Sequence, residues 1–279
     1  MPATIACSTT SYGPFGPRAA ITHLRSVGLQ YLELPIHTHG QKTRYGEIPL
    51  LTSIASDQEI AEAQVLLTDH GVSLASCQIV TGNPLFKSAR QVLRRKLEIA
   101  GQLGVKLVIG DAGEVQSPDQ LPALYQALTE LGDVAGSLGI TYCLDLQPGI
   151  CRNHRGMIQA MQDLDHPQIR LNFDTGSLFY YNDEPVLEIA LLKVCPYIRH
   201  LNLKDCLGEY DYWYFPPLGY GGAVDFMRVH QVMRDMGFPA PLSIHVDGIE
   251  GERDLPLETY QKQVVDSVAT LRECGYFNP

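Results

Sequence analysis

CLDLQPG (residues 143–149), IRLNFDTGS (169–177), IRHLNLKD (198–205) and PLSIHVDG (241–248) are the stretches that decide the fold of this chain. Each has the length and apolar content of a buried strand, and polar side chains follow where the strand ends. Side chains of a strand alternate between its two faces, so the polar residues of each run are expected to share a face. These residues are Asp145, Asn172, Asp174, His200, Asn202, Lys204, His245 and Asp247.

The rest of the chain repeats the alternation of a short apolar run with a helical pattern. Residues 17–28 begin with proline and end with glycine, as helices prefer, and Ser56 followed by Glu59 predicts a capping box. We count eight strand and helix pairs, which predicts a closed parallel (β/α)8 barrel, a TIM barrel, formed by residues 1–279 as a single domain. An open doubly wound sheet is the alternative, but neither a GxGxxG nor a GxxxxGK[ST] turn follows the first strand.

Composition limits the classes of partner. The formal net charge is −10 without a stripe of lysine and arginine, so the phosphate backbone of a nucleic acid would be repelled. The 7 cysteines are scattered and lack a CxxC pair, which predicts reduced thiols rather than a disulfide framework or a zinc ribbon. Neither a signal peptide nor a run of ~20 apolar residues is recognisable. We therefore expect a cytoplasmic protein without nucleic-acid or membrane partners; a homo-oligomer is left open.

Two connections are too long to be simple turns, residues 37–55 after the second strand and residues 206–222 after the seventh. Long loops inside compact domains are commonly lids or binding loops. The second connection, called the aromatic segment below, contains Trp213, the only tryptophan of the chain. Its other aromatic residues are Tyr210, Tyr212, Tyr214, Phe215 and Tyr220. A lid over a small ligand and a satellite core or subunit contact are equally supported interpretations.

The strand ends resemble those of the sugar isomerase/epimerase group of xylose isomerase-like TIM barrels, and the similarity spans nearly the whole chain. In that family the fifth strand ends in Glu-x-His, and the sixth ends in Asp-x-Gly-His or Asp-x-Gly-Asn. The seventh ends in His-x-His-x-Lys-Asp, and the eighth presents a glutamate. Lys204 and Asp205 match the end of the seventh-strand motif, and residues 218–233 resemble the family's glycine-rich turn into its seventh helix.

The resemblance implies a bound divalent metal, Mn²⁺, Mg²⁺ or Zn²⁺. The family's four ligands Glu, Asp, His and Glu fall on Asp145, Asp174, Asn202 and His245, and only Asp174 keeps the family's residue type. Two carboxylates, an amide oxygen and an imidazole still offer oxygen and nitrogen donors. However, a neutral imidazole in place of a carboxylate weakens the site for a hard cation, and aspartate is shorter than glutamate. The presence of a metal is therefore left open.

The same resemblance implies that Asp145 and His245 exchange protons with the carbon next to a carbonyl, on opposite faces of the substrate. The ordinary pKa of imidazole, near ~6.5, suits this chemistry, whereas a structural hydrogen bond is the alternative role of His245. Lys204 would stabilise an enediolate oxygen as a fixed positive charge. Its alternative role is a salt bridge with Asp205 or Asp174.

Four further residues are candidates for contact with a polyhydroxylated substrate. Gln147 and Ser177 occupy the family's neighbouring histidine positions, Trp213 lies in the aromatic segment, and Glu33 ends the second strand. Pairing with a lysine or arginine is the alternative for Glu33. Weaker candidates are His37 and His39 as metal ligands, Gln78 and Asp111 for hydroxyl recognition, and Asp247, Glu250 and Glu252 as a second cation site or a solvated loop.

The predicted function is isomerase, epimerase or dehydratase chemistry on a small carbohydrate, namely a polyhydroxylated keto-sugar or an inosose, by proton transfer next to a carbonyl. Fold alone does not fix the reaction, so this hypothesis depends on the family resemblance. A second hypothesis is a non-catalytic sugar-binding barrel that lost its metal site. A third is a DNA-repair enzyme resembling endonuclease IV, which uses a histidine-rich zinc cluster. The acidic net charge and the depletion of histidines at the family's site positions oppose it.

Overall fold

Eight short strands with mostly buried side chains pair in parallel around the core. The structure is a computed structural model and describes residues 4–238, 240–252 and 255–277. The barrel strands are β1 (Ile5–Ser8), β2 (Tyr31–His37), β3 (Ser73–Gln78), β4 (Leu107–Gly110), β5 (Thr141–Leu144), β6 (Ile169–Asp174), β7 (Ile198–Lys204) and β8 (Leu242–His245).

The first and last strands close the barrel. Strand β1 pairs with β2 on one side, where Cys7 lies opposite Leu32, and with β8 on the other, where Cys7 lies opposite Ile244. The remaining strands pair in chain order, each parallel to the next. The prediction of a closed (β/α)8 barrel is therefore confirmed, and the open-sheet alternative is wrong.

Helices surround the strands, and most begin where the sequence supplies a cap or a proline. The α-helices are α1 (Gly16–His23), α2 (Asp57–Asp69), α3 (Lys87–Gln102), α4 (Leu121–Ser137), α5 (His154–Leu164), α6 (Thr175–Tyr181), α7 (Leu187–Val194), α8 (Phe226–Asp235) and α9 (Leu257–Glu273). The capping box of Ser56 and Glu59 begins α2, as predicted. Helix α6 was not predicted; Asp174 caps it by accepting a hydrogen bond from the backbone N–H of Ser177.

Strand register brings the polar residues of β6, β7 and β8 to one end of the barrel, called the barrel mouth below. Asp174 lies opposite Asn202 in the β6–β7 pair, and Lys204 lies opposite His245 in the β7–β8 pair. Because the strands are parallel, all of their carboxyl ends face the same side, where TIM barrels carry their active sites. None of the described helices is long and apolar enough to span a bilayer.

Candidate active site

A chain of side-chain amides links Asp145 to His245 across the barrel mouth. The Asn172 side-chain amide donates to Asp145 Oδ1 at 2.7 Å and to Asn202 Oδ1 at 2.5 Å. The Asn202 amide nitrogen in turn lies 2.5 Å from His245 Nε2, a nitrogen whose hydrogen-bond partner is the Glu33 carboxylate. Asn172 and Asn202 are almost fully buried, so this chain is held rigidly by strands β6 and β7.

Glu33 is fully buried and contacts two imidazoles. It is the third residue of β2, so the prediction that it ends the second strand is wrong: the strand continues to His37. Its Oε1 lies 2.7 Å from His245 Nε2, and its Oε2 lies 3.2 Å from His200 Nε2. Burial alone would raise the pKa of Glu33, but the charge and hydrogen bond of His245, together with His200, bring it down to about 2. Glu33 is thus an ionised carboxylate that holds histidines rather than a lysine or arginine.

The pKa values of the two histidines shift in opposite directions because their contacts with Glu33 differ. Burial lowers the pKa of His200 to about 4 despite the nearby carboxylate, so this ring is neutral at ordinary pH. Burial also opposes the charged form of His245, but the closer Glu33 carboxylate outweighs it and the pKa of His245 is raised. Proton uptake is therefore easier at His245 than at His200, and Nε2 of His245 lies 2.7 Å from Glu33 Oε1.

Lys204 lies between two carboxylates at the end of β7. Its Nζ is 3.1 Å from Asp174 Oδ2 and 2.7 Å from Asp247 Oδ2, and the Phe215 ring centroid lies 4.8 Å away. Burial lowers the pKa of Lys204, but the two carboxylates outweigh it and raise the pKa above its ordinary value. Burial alone would raise the pKa of Asp247, but the charge of Lys204 has the larger effect and holds the pKa of Asp247 below its usual range. Lys204 is a permanent cation of the barrel mouth.

Asp145 is the carboxyl group of the site whose pKa lies closest to neutrality. Burial raises its pKa to about 7, and the carboxylates of Asp174 and Glu33 act in the same direction. Its Oδ1 accepts hydrogen bonds from Asn172 and from the backbone N–H of Leu146 at 3.0 Å. Within the described part of the chain, Asp145 Oδ2 accepts no hydrogen bond. This second oxygen is therefore free to accept a proton.

The aromatic segment covers the mouth. Tyr214–Phe215 pairs antiparallel with Gly248–Ile249, which follow β8. The Trp213 indole N–H donates to the backbone oxygen of Asp247 at 3.3 Å, and the Trp213 and Phe215 ring centroids are 4.5 Å apart. The segment therefore packs beside Lys204 and against the loop that follows β8.

Two anchors hold the aromatic segment in place. At its base, Asp205 accepts backbone hydrogen bonds from Cys206, Gly219 and Val224. From the other long connection, the Arg44 guanidinium lies 3.4 Å above the Trp213 ring. The two long loops thus meet over the site.

The other predicted residues are only partly joined to this cluster. Gln147 follows β5 beside Asp145, and its side-chain Nε2 is buried without a hydrogen-bond partner among the described residues. Ser177 contributes its backbone N–H to Asp174. His37 Nε2 lies 3.8 Å from the Glu47 carboxylate, and His39 is exposed. Asp111 accepts backbone hydrogen bonds from Thr81 and Gly82. His37, His39 and Asp111 therefore lie outside the central cluster, whereas Asp247 belongs to it through Lys204.

Sequence reasoning missed Ser76 and gave no partner role to His200. The Ser76 hydroxyl lies 3.3 Å from Glu33 Oε2 and 3.1 Å from His200 Nε2. The sequence offered one indication of the position of Ser76: it lies two residues before Gln78 on β3, so the two side chains share a face of the strand. A serine in a strand is too common for that phase to single it out.

The residues at the family's metal-ligand positions do not fit a divalent metal. Both oxygens of Asp174 are engaged, one by the Ser177 N–H and one by Lys204. Asn202 Oδ1 accepts from Asn172, and His245 Nε2 is bound to Glu33. No three His, Cys, Asp or Glu side chains in the described ranges are placed to share a metal ion.

Several solved structures share this fold. The structure of an L-ribulose 3-epimerase superposes with a TM-score of 0.75 at 15% identity, covering 98% of this chain and 94% of the other. A D-psicose 3-epimerase from Clostridium cellulolyticum H10, solved with D-tagatose, gives 0.76 at 13% identity, covering 97% and 99%. A xylose isomerase-like TIM barrel protein from Mycobacterium smegmatis, in complex with magnesium, gives 0.71 at 19% identity, covering 96% and 97%.

At these identities the likeness establishes the fold alone. None of the curated proteins matches this chain in sequence. A family model described as xylose isomerase-like TIM barrel, however, matches residues 21–274, which is most of the chain. This match agrees with the closed barrel. The chain belongs to the xylose isomerase-like TIM barrel family.

Proposed function

We propose that this protein is a sugar isomerase or epimerase that moves a proton on the carbon next to the carbonyl of a small polyhydroxylated keto-sugar or inosose. The observation that carries the proposal is the pairing of Asp145 and His245 at the two ends of one amide chain, with the Lys204 ammonium at the same barrel mouth. A base, an acid and a fixed cation are the groups that this reaction requires. The 3-epimerase activities named for structures of similar fold are consistent with it.

Asp145 is suited to accept the proton. Its pKa of about 7 leaves a substantial fraction ionised at neutral pH while keeping the carboxylate basic enough to attack a carbon acid. Oδ2 is the oxygen that would take the proton, since Oδ1 is occupied by Asn172. The bond broken is the C–H next to the carbonyl. Its electron pair forms the C=C bond of an enediolate, and the π pair of the carbonyl moves onto the oxygen.

His245 is suited to return a proton. Glu33 occupies Nε2 and stabilises the imidazolium, so Nδ1 is the nitrogen that would deliver a proton to the opposite face of the same carbon. The oxygen electron pair then re-forms the carbonyl while the C=C pair binds the proton from Nδ1, and the configuration at the carbon is inverted. Asp145 and His245 return to their starting states by exchanging protons with water.

Two features favour a sugar as the substrate. The unpaired Gln147 Nε2 would donate to a hydroxyl, because a buried donor without a partner is costly unless a ligand satisfies it. Trp213 and its aromatic neighbours would pack on the apolar C–H face of a sugar and exclude water from the proton-transfer step.

The test is solvent deuterium exchange, which detects proton abstraction whatever the product is. The protein is incubated in D₂O with D-tagatose, D-psicose, L-ribulose, D-fructose and an inosose, and deuterium next to the carbonyl is followed by NMR. We expect exchange with at least one of them, and we expect Asp145→Asn and His245→Gln each to reduce it by roughly 10²-fold or more.

Exposed residues near the mouth provide matched controls. Glu250 and His39 are both exposed on loops at the barrel mouth, so Glu250→Gln and His39→Gln should exchange at the wild-type rate. Saturable ligand binding without exchange would instead favour the non-catalytic sugar-binding barrel. The absence of both would reject the proposal for these substrates.

A further inference from the structure

We propose that the Lys204 ammonium replaces the divalent metal in this chain, so that the protein binds no metal ion at the site and needs none. One part of the proposal rests on the proposed function, namely that Lys204 binds the carbonyl oxygen of the substrate. The inference starts from a conflict: the family membership implies a metal, whereas the donors at those positions are engaged with each other and with Lys204.

The first step is the position of the cation. Asp174 is the one family ligand position that keeps its residue type, and its Oδ2 lies 3.1 Å from Lys204 Nζ. A second carboxylate, Asp247, holds the same Nζ at 2.7 Å. Since Asp174 Oδ1 accepts from the Ser177 N–H, Oδ2 is the oxygen a divalent ion would need, and the ion could bind it only by displacing the Lys204 ammonium.

The second step is that too few donors remain for a metal. Of the four side chains, the described contacts leave Asp145 Oδ2 and His245 Nδ1 free of partners, while both oxygens of Asp174 are engaged. Zn²⁺ takes about four ligands, and Mg²⁺ requires a near-octahedral set rich in oxygen. Two atoms at opposite ends of the Asn172 and Asn202 chain cannot supply such a set.

The third step is that neighbouring residues fix the Lys204 side chain. A Cβ added at Gly176 would lie 2.8 Å from Lys204 Cγ, so glycine makes room for the lysine stem. The Thr175 hydroxyl accepts from the Lys204 backbone N–H at 2.9 Å and donates to its carbonyl at 2.7 Å. Residues at the start of α6 therefore hold the ammonium in one place.

The fourth step is the remaining donor. An ammonium has three N–H groups, and Asp174 and Asp247 account for two of them. No other acceptor contacts Nζ in the ranges that the structure describes, so the third N–H is left for a ligand oxygen. It would stabilise the charge that develops on the carbonyl oxygen when Asp145 removes the proton.

The proposal is tested by metal binding, which requires no substrate. Protein treated with EDTA and desalted is titrated with Mn²⁺, with calorimetry for heat and electron paramagnetic resonance for free Mn²⁺. We expect no stoichiometric binding by the wild type up to millimolar Mn²⁺. One equivalent bound with micromolar affinity, and lost in Asp174→Asn, would overturn the proposal.

Lys204→Met gives the converse result. With the ammonium removed, Asp174 and Asp247 have no cation, and Mn²⁺ affinity should increase at least tenfold. Lys96→Met is the matched control, because Lys96 is also buried but donates to backbone carbonyls, and it should not gain affinity. An equal gain of Mn²⁺ affinity in both variants would reject the proposal that Lys204 takes the place of the metal. If Lys204→Met does not fold, the Mn²⁺ titration of the wild type decides the matter.

The deuterium-exchange assay separates this proposal from the proposed function. Exchange that is unchanged in 10 mM EDTA, reduced at least 10²-fold by Lys204→Met and not restored by Mn²⁺ supports both. Exchange that is abolished by EDTA and restored by Mn²⁺ rejects the replacement and leaves the proposed function standing. No Mn²⁺ binding together with no exchange rejects the proposed function and supports the metal-free site.

Discussion

Lys204 and Lys96 are both buried at the same end of the barrel, yet their surroundings move their pKa values in opposite directions. Lys96 lies on α3 and donates to the backbone oxygens of Val80 at 2.9 Å and Ile79 at 3.4 Å, just beyond the end of β3. Burial lowers its pKa to about 8, although the Asp111 carboxylate opposes the shift. The pKa of Lys204 is raised because two carboxylates contact it directly.

The comparison shows that burial alone does not identify a functional lysine. Lys96 binds neutral carbonyl groups, so its charged form is destabilised and its role is to satisfy the backbone at the end of β3. Lys204 is stabilised as a cation beside Asp145, at the barrel mouth. The partners, and not the degree of burial, decide which of the two lysines can stabilise a developing negative charge.

The largest expected effect that separates the two lysines is on stability. Lys204→Met leaves Asp174 and Asp247 buried without a cation, and breaking a buried ion pair costs about 3–5 kcal/mol of unfolding free energy. Lys96→Met leaves carbonyl groups unpaired but also removes a poorly solvated charge, so its cost should be about 1–2 kcal/mol. Urea denaturation at pH 7 measures both, and equal costs would contradict the distinction.

The same reasoning applies to the two carboxylates Asp145 and Asp247. The raised pKa of Asp145 means that the folded state binds more protons than the unfolded state between pH ~3.8 and about 7. The stability that the protonated group contributes is therefore lost as the pH rises through about 7. Asp145→Asn, which imitates the neutral form, should stabilise the protein at pH 8 by up to about 4 kcal/mol.

This advantage of Asp145→Asn should shrink as the pH falls toward 4, because the wild-type carboxyl group is then protonated as well. Asp247→Asn is the matched variant, since Lys204 holds the pKa of Asp247 below its usual range and the charged form is the stable one. It should destabilise the protein at pH 8. Thermal or urea unfolding of both variants at pH 5 and pH 8 checks the two signs, and stabilisation by both would refute the argument.

A smaller effect is expected from the titration of Lys96. Its folded pKa of about 8 lies below the unfolded value, so the unfolded state binds more protons in between and stability should rise with pH across that window. The gain should be about 2 kcal/mol between pH 7 and pH 10 when wild type is compared with Lys96→Met, which cannot titrate. A pH-independent difference in unfolding free energy between the two proteins would show that Lys96 is solvated.

The fold and half of the site could be predicted from the sequence because both depend on local periodicity. Eight repeats of strand and helix specify a barrel, and a period of two puts Asn172 and Asp174, or Asn202 and Lys204, on one face. Parallel neighbouring strands then bring these residues together. That much needs only strand phase and strand order.

The other half of the site could not be predicted, because it depends on contacts across the barrel. Glu33 is 212 residues from His245 and 169 residues from Asn202 in the chain. Those contacts arise when β1 closes the sheet and fixes how far each strand is shifted along the barrel axis. The periodicity of the sequence does not reveal that shift. The direction of the pKa shift of Lys96 or Lys204 likewise depends on neighbours that are distant in the chain. The sequence around Lys96 is a polar helical stretch, and it did not indicate that this lysine is buried.

The smallest expected effect concerns the aromatic segment, which covers Lys204. The Trp213 ring is held by Arg44 on one face and by the Phe215 ring, and Phe215 in turn lies 4.8 Å from Lys204 Nζ. Trp213→Ala should therefore weaken binding of the exchanged keto-sugar about tenfold, or about 1.4 kcal/mol, through lost stacking and a wetter site. Isothermal titration with the sugar measures this loss.

Tyr212→Ala is the matched control for Trp213→Ala. Tyr212 belongs to the same segment, but it is 42% exposed and stacks on Tyr214, so its removal should leave sugar affinity unchanged. Both variants should keep the wild-type fold, since the segment lies outside the barrel core. The competing interpretation is that Trp213 forms a subunit contact. Sedimentation of Trp213→Ala as a smaller species than wild type, with unchanged sugar affinity, would reject the lid and establish the interface.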